Sequence, residues 1–330
     1  MFSYAYPDCF PRFDRPDRSA SNSLLVRPLS MNVNFNRRSL LGHSLLAAAA
    51  CGSASRWAGA AEKAPLFKIS LTQYSLHRML ASGKLDNMDF TAFTRKEFGI
   101  NAVEYWNRPF FKQAEDKAYL AQMRKRADDV GIQGLVILID GEGNLGDPDS
   151  AARKESVRRH HKWVVAAKQL GCHSIRVNAR SKGSYQEQLK LSADGLRQLS
   201  EFAATLEMNV IVENHGGLSS NGEWLAKVMK TVGMKNCGTL PDFGNFGDYD
   251  RYKGVRETMP FAKSVSAKAH DFDEAGNETK TDFLKMMKIV LSFGYHGYVG
   301  IEFEGGRISE VEGVHATQRL LKRVRKQLTV

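Results

Sequence analysis

Cysteine is scarce in this chain: four in 330 residues, Cys9, Cys51, Cys172 and Cys237. Only Cys172 and Cys237 lie beyond residue 60, too few for a disulfide framework and at no zinc-site spacing. Both stand at the start of expected strands and read as small buried apolar side chains. Long hydrophobic runs are also missing. The weakly apolar stretch 40–50 falls well short of the roughly 20 residues a membrane helix needs. No glycine-rich nucleotide loop follows the first expected strand, which argues against a doubly wound dinucleotide fold. Acidic residues are the scarcer charge, 36 Asp and Glu against 47 Lys and Arg. Seven of the basic and three of the acidic residues fall within 1–60, so the remainder holds 40 against 33, a net charge of +7. Much of that basic charge sits in helix-like stretches such as MRKRADD and LLKRVRKQL. Such stretches read as solvated helix faces, and no nucleic-acid partner is expected. With 42% hydrophobic and 25% charged residues, the composition is that of an ordinary globular protein.

The N-terminal part reads differently. Residues 1–30 show no clean periodicity and are expected to be disordered, or an extension preceding a true start at Met31. Residues 31–60 have the layout of an export signal: Arg37-Arg38, a short apolar run, then small residues with Ala58-Gly59-Ala60 fitting a cleavage site. This predicts twin-arginine export to the periplasm and no transmembrane segment in the mature chain. Cys51 after three alanines could mark a lipoprotein, but Ala48 stands where a large aliphatic residue belongs, so the anchored form is the weaker reading.

From residue 66 to 330 apolar strands alternate with amphipathic stretches. Strands are expected at 67–72, 102–105, 134–139, 174–178, 209–213, 238–241, 264–270 and 298–303. Between them lie helix patterns such as KAYLAQMRKRADDVG and ARKESVRRHHKWVVAAKQLG, each closed by a glycine stop. DYDRYKGVRETMP is expected to form only a short helix. Eight such units in about 265 residues predict an α/β fold, a single-domain (β/α)8 TIM barrel of parallel strands with right-handed crossovers.

In such a barrel the chemistry gathers at the carboxyl ends of the strands. Those ends read AVEYW, VILIDGEGN, IRVNAR, VIVENHGG, TLPDFGNF, VSAKAHDFD and GIEFEGG. Glu213, Asp242, His270 and Glu302 end strands five to eight. Three carboxylates on one wall repel one another unless a cation joins them, and a buried lone carboxylate is costly. Three oxygens and an imidazole suit one divalent metal: Mn2+, Mg2+, Co2+ or Zn2+. Asp140 in DGEGN is read as a turn residue. His160, His161, His173 and His296 fall at the wrong end of the barrel or in helices and are read as structural.

VIVENHGG, LPDFGNF and GYVGIEFEG resemble the xylose isomerase-like sugar isomerase/epimerase superfamily over about residues 66–328. The resemblance implies that Glu213, Asp242, His270 and Glu302 bind the metal. Two positions depart from the family pattern. Asn245 stands where histidine is frequent. In Lys268-Ala269-His270-Asp271 an alignment on Asp271 puts Lys268 in the metal histidine's place; the two side chains alternate onto the same face, and His270 is preferred because an ammonium cannot ligate.

What the resemblance implies chemically is proton transfer beside a sugar carbonyl, with Glu213 and Glu302 as base and acid. Glu104, Asn178, His215, Asn245, Lys268 and Arg307 would bind or orient the sugar, with Trp106 and Phe246 available to stack on the ring. Trp106 and Phe246 also fit simple rim packing. The expected partner is a small carbohydrate, and a homo-oligomer is left open. A lyase or dehydratase acting on keto-sugars or glycosides at the same site is the alternative. An endonuclease would need further histidine ligands where Glu104, Asp140 and Asn245 stand, and a noncatalytic sugar-binding barrel would make both glutamates dispensable.

Overall fold

The computed structural model describes residues 64–329. The expected signal peptide, the extension before Met31 and Cys51 lie outside the described residues. All eight strands form one parallel sheet: β1 (Lys68–Thr72), β2 (Ala102–Trp106), β3 (Gln133–Leu138), β4 (Ser174–Val177), β5 (Asn209–Glu213), β6 (Cys237–Leu240), β7 (Val265–Ala269) and β8 (Tyr298–Phe303). Their ladder runs β6-β5-β4-β3-β2-β1-β8-β7. Isolated parallel bridges, Asp242 to Ser266 and Thr239 to Ala262, close the gap between β6 and β7. Pro241 thins that seam: it has no N–H to donate, yet its carbonyl accepts from Ser266 at 2.9 Å. The expected (β/α)8 barrel is therefore formed.

The helices are α1 (His77–Ala81), α2 (Phe90–Phe98), α3 (Lys117–Asp129), α4 (Ser150–Gln169), α5 (Tyr185–Ala204), α6 (Gly222–Val232), α7 (Arg251–Thr258), α8 (Phe283–Ser292) and α9 (Glu310–Thr329). Their starts are chemically marked. Asp116, Asp149, Asn221 and Asp282 accept from the first free backbone N–H groups, and Ser184 with Glu187 forms a reciprocal capping box. The expected short helix is α7, eight residues long. Among the described residues no helix is long and apolar enough to cross a membrane.

Apolar side chains fill the layer between sheet and helices, with Trp163, Trp224, Phe67 and Phe303 fully buried. A smaller cluster of Ala102, Leu135, Val136, Leu138, Ile211 and Leu240 forms a second core. Ile211 and Glu213 lie two residues apart on β5, so they share a face. The same alternation carries β2 from Ala102 to Glu104. One face of the sheet thus changes from apolar to charged toward the carboxyl ends. Cys172 and Cys237 are buried and free, as their placement in the sequence implied.

Candidate active site

Glu213 is the last residue of β5, Asp242 follows β6, and Glu302 is next to last in β8. All three are buried, and each offers a carboxylate oxygen within 4.8 Å of the others'. Ser266 Oγ joins two of them, 2.7 Å from Asp242 Oδ2 and 2.8 Å from Glu302 Oε2. A hydroxyl has one proton to donate, so both contacts are hydrogen bonds only when one carboxyl carries a proton of its own. Burial supplies that tendency. It pushes Glu302 up to about 8 and Asp242 up to about 6, with Lys268 pulling the other way in both cases.

Two cations face these acids. Lys268 Nζ, on β7, lies 3.1 Å from Glu302 Oε1, 2.7 Å from Glu304 Oε1 and 3.9 Å from Asp242 Oδ2. Burial alone would lower its pKa, but Glu302, Asp242 and Glu304 outweigh burial and hold the ammonium well above its usual value. Raised carboxyls beside a raised lysine are consistent because acids outnumber cations here. The ammonium stays charged, while Glu302 and Asp242 hold their protons to a higher pH than free carboxyls and Glu304, beside Lys268, is shifted down. Arg176, buried in the middle of β4, lies 2.6 Å through Nε from Glu213 Oε2 and 3.2 Å through its terminal nitrogen from Asp140 Oδ1. The Nε contact is off the N–H direction, so neither Arg176 Nε nor Glu213 Oε2 has a hydrogen-bond partner.

Around this centre the polar strand ends interlock. Asn245 donates to Glu213 Oε1 at 2.8 Å. Asp140 accepts from Trp106 Nε1 at 3.1 Å and from Asn178 Nδ2 at 2.9 Å. Burial would raise Asp140, yet Arg176 and its other partners bring it down to about 2. Glu104 on β2 accepts from Ser70 and Thr72, both at 2.9 Å, and burial pushes it up to about 7 despite those bonds. Burial lowers His215, which favours neutral imidazole, and its Nδ1 lacks a hydrogen-bond partner, as does Asn178 Oδ1. These unpaired buried polar atoms can be satisfied by hydroxyl groups brought in by a ligand.

Residues 95–326 match the family described as xylose isomerase-like TIM barrel. The chain belongs to this family. Solved structures agree with the barrel. One titled "IOLI protein with a binding zinc atom" has 14% identity and a TM-score of 0.64, covering 79% of this chain and 99% of that one. The 3-keto-D-glucoside 4-epimerase YcjR from E. coli has 15% identity and a TM-score of 0.61, covering 78% and 99%. The probable 3-DHS dehydratase AsbF from Bacillus anthracis has 14% identity and a TM-score of 0.58, covering 78% and 99%. No curated protein matches the chain significantly in sequence.

This xylose isomerase-like barrel does not bring all the expected site residues together. His270 is the main correction. β7 stops at Ala269, so His270 leaves the strand's alternation; its Nε2 lies 3.9 Å from Glu304, and it is no part of the convergent group. Lys268, still in register with Glu302, reaches the carboxylates instead. Arg307 is also elsewhere: it is exposed and tied to Asp271 at 2.7 Å and to the Phe272 carbonyl at 2.6 Å. Asp140 is more than the turn residue it resembled, since four side chains of three strand ends meet there. Phe246 is buried against Gly254 of α7, whereas Trp106 is half-buried beside Tyr74. His160, His161, His173 and His296 bond or stack locally. Arg176 and Ser266 were not singled out in the sequence, whereas Glu304 stands out there beside Glu302 as a second carboxylate at the end of β8. The signal that could have found Arg176 and Ser266 is their two-residue spacing from Asn178 and Lys268.

As to a metal, the oxygen donors of Glu213, Asp242 and Glu302 fit a divalent ion in number, burial and mutual distance, and Glu213 Oε2 is short of a hydrogen-bond donor. Among the described residues no imidazole joins the group, and the side chain of β7 that reaches it is the ammonium of Lys268.

Proposed function

We propose that this barrel is a sugar isomerase or epimerase that moves a proton beside the carbonyl of a keto-sugar, with Glu213 and Glu302 as the exchanging pair. The observation carrying this reading is their convergence: two buried glutamates and Asp242 within 4.8 Å, in unlike surroundings. Burial holds Glu302 up to about 8 while no ion is bound, which makes it the member of the pair more disposed to carry the proton. Glu213 faces the positive charge of Arg176 and accepts from the amide of Asn245, surroundings suited to the partner that takes the proton. Unlike environments around paired carboxyls are how one site supplies an acid and a base. Glu213, Asp242 and Glu302 would hold one divalent ion, which when bound supplies Lewis-acid polarisation of the carbonyl and its neighbouring hydroxyl. Asn178 and His215, with unpaired polar atoms, would orient further hydroxyls, and Trp106 offers a ring to the apolar sugar face.

The same proton abstraction can end in loss of a β-hydroxyl or β-glycosyl group. A dehydratase among the similar barrels keeps that second reading in play. We also infer from residues 31–60 that the chain is exported by the twin-arginine route, so its substrate would be an extracytoplasmic keto-sugar or glycoside.

The test is solvent-deuterium incorporation into a panel of keto-hexoses and 3-keto-glycosides, followed by NMR. Exchange at the carbon beside the carbonyl without another product supports isomerisation; release of water or aglycone supports the lyase. Full activity in the Glu213→Gln/Glu302→Gln double variant would defeat both.

A further inference from the structure

The carboxylate cluster already contains a fixed cation, and this bears on how it can hold a second; the inference rests on the reading above that Glu213, Asp242 and Glu302 bind a divalent ion. Lys268 is 1% exposed. Its ammonium touches Glu302 at 3.1 Å and Glu304 at 2.7 Å, and stands 3.9 Å from Asp242. The placement is built into the backbone. The β7–β8 register sets Lys268 directly against Glu302. Gly244 leaves space for the lysine stem, since a Cβ there would lie 2.7 Å from Lys268 Cγ. An ammonium has three donors and no lone pair, so it neutralises carboxylates without ligating a metal. Among the described residues the convergent donors are Glu213, Asp242 and Glu302 alone.

We propose that Lys268 is the resident cation of this cluster, and that a divalent ion binds the three carboxylates only in competition with its ammonium, loosely and through oxygen atoms. Like charges a few ångströms apart repel strongly where water is excluded. An incoming ion therefore displaces the ammonium from Glu302 and leaves it on Glu304, the partly exposed carboxylate at the rim. An all-oxygen set suits hard ions such as Mg2+ and Mn2+, and it forgoes the imidazole that favours Zn2+.

Isothermal titration of the chelator-treated protein with MnCl2 and ZnCl2 tests this directly. Lys268→Met should bind Mn2+ at least about tenfold more tightly than the native chain, the scale on which a neighbouring charge acts. Lys268→His should raise Zn2+ affinity more than Mn2+ affinity, and adding Asp242→Asn should abolish that gain. Thermal melts check folding. If Lys268→Met fails to fold, Lys268→His still carries the test, because histidine can take up a proton when no ion is present. Equal affinities across the native chain and both variants overturn the competition, and so does an absence of binding in all three. A gain that survives Asp242→Asn overturns it as well, by placing the ion elsewhere. Deuterium exchange by the native chain then judges the isomerase reading separately.

Discussion

Lys268 and Glu302 are paired in register across β7 and β8, and the pairing ends in a 3.1 Å contact between ammonium and carboxylate. One strand thus supplies a positive charge at the level where its neighbour supplies a negative one. Across the ring Arg176 does the same for Glu213 and Asp140. The two cations stand against five buried or half-buried acids: Glu213, Asp242, Glu302, Glu304 and Asp140. This excess of acid is what leaves room for a bound cation and for a carboxyl that keeps its proton.

Removing either glutamate's proton-transfer capacity should cost turnover far more than stability. Glu213→Gln and Glu302→Gln are each expected to lower deuterium exchange by about 10²–10⁴-fold, the usual weight of general acid–base catalysis. Circular dichroism should stay native, since glutamine retains the volume and one acceptor oxygen. An exchange rate within twofold of native in either variant would remove that residue from the chemistry.

Glu104 gives a pH-dependent stability prediction. Burial raises its folded pKa from 4.5 to about 7, so the folded chain keeps a proton that the unfolded chain has lost. Stability from this group is fully present below about 4.5 and is lost as pH rises through 7. Glutamine mimics the protonated acid. Glu104→Gln should therefore be close to neutral at pH 4.5 and, relative to the native chain, stabilising by on the order of 3 kcal/mol at pH 8. Urea unfolding of both proteins across that range isolates the effect, because the histidines titrate equally in the two. A difference that does not change with pH refutes it.

Arg176 is expected to be the most expensive polar residue of the barrel to remove. It is buried beside two carboxylates, and Arg176→Leu leaves both without their cation. Breaking a buried pair by deleting one partner costs about 3–5 kcal/mol. Arg176→Lys should recover part of this, since it keeps the charge but not both contacts. The midpoint of chemical denaturation is the measurement, and a leucine variant as stable as native would show that the pair contributes nothing.

The barrel was legible because eight apolar strands alternate with helices closed by Gly99, Gly131, Gly171 and Gly233, all of which adopt positive φ. Glu213, Asp242 and Glu302 were legible because a carboxylate ending an apolar strand has few inexpensive explanations. What the sequence did not show is tertiary. Arg176 looks like an anomaly inside IRVN until Asp140 and Glu213 are seen on the flanking strands. Lys268 and His270 share a face by spacing alone, and only the end of β7 at Ala269 separates their fates. Asp140 reads as a turn because the residues that bond it come from two other segments, the ends of β2 and β4.

Gly300 offers a test of how closely this interior is fitted. It lies on β8 beneath Glu302, and a Cβ there would stand 2.5 Å from Glu104 Oε1 and 2.8 Å from Oε2. Neither oxygen can retreat easily, because Ser70 and Thr72 hold both. Gly300→Ala should destabilise by about 1–3 kcal/mol, the usual cost of overpacking. Shortening the acid should relieve it: in Gly300→Ala/Glu104→Asp the two effects should be less than additive by at least about 0.5 kcal/mol, the coupling expected of residues in contact. Strict additivity in a double-mutant cycle would mean that the glycine is not there to make room for the carboxyl, and that some other feature of β8 sets the position.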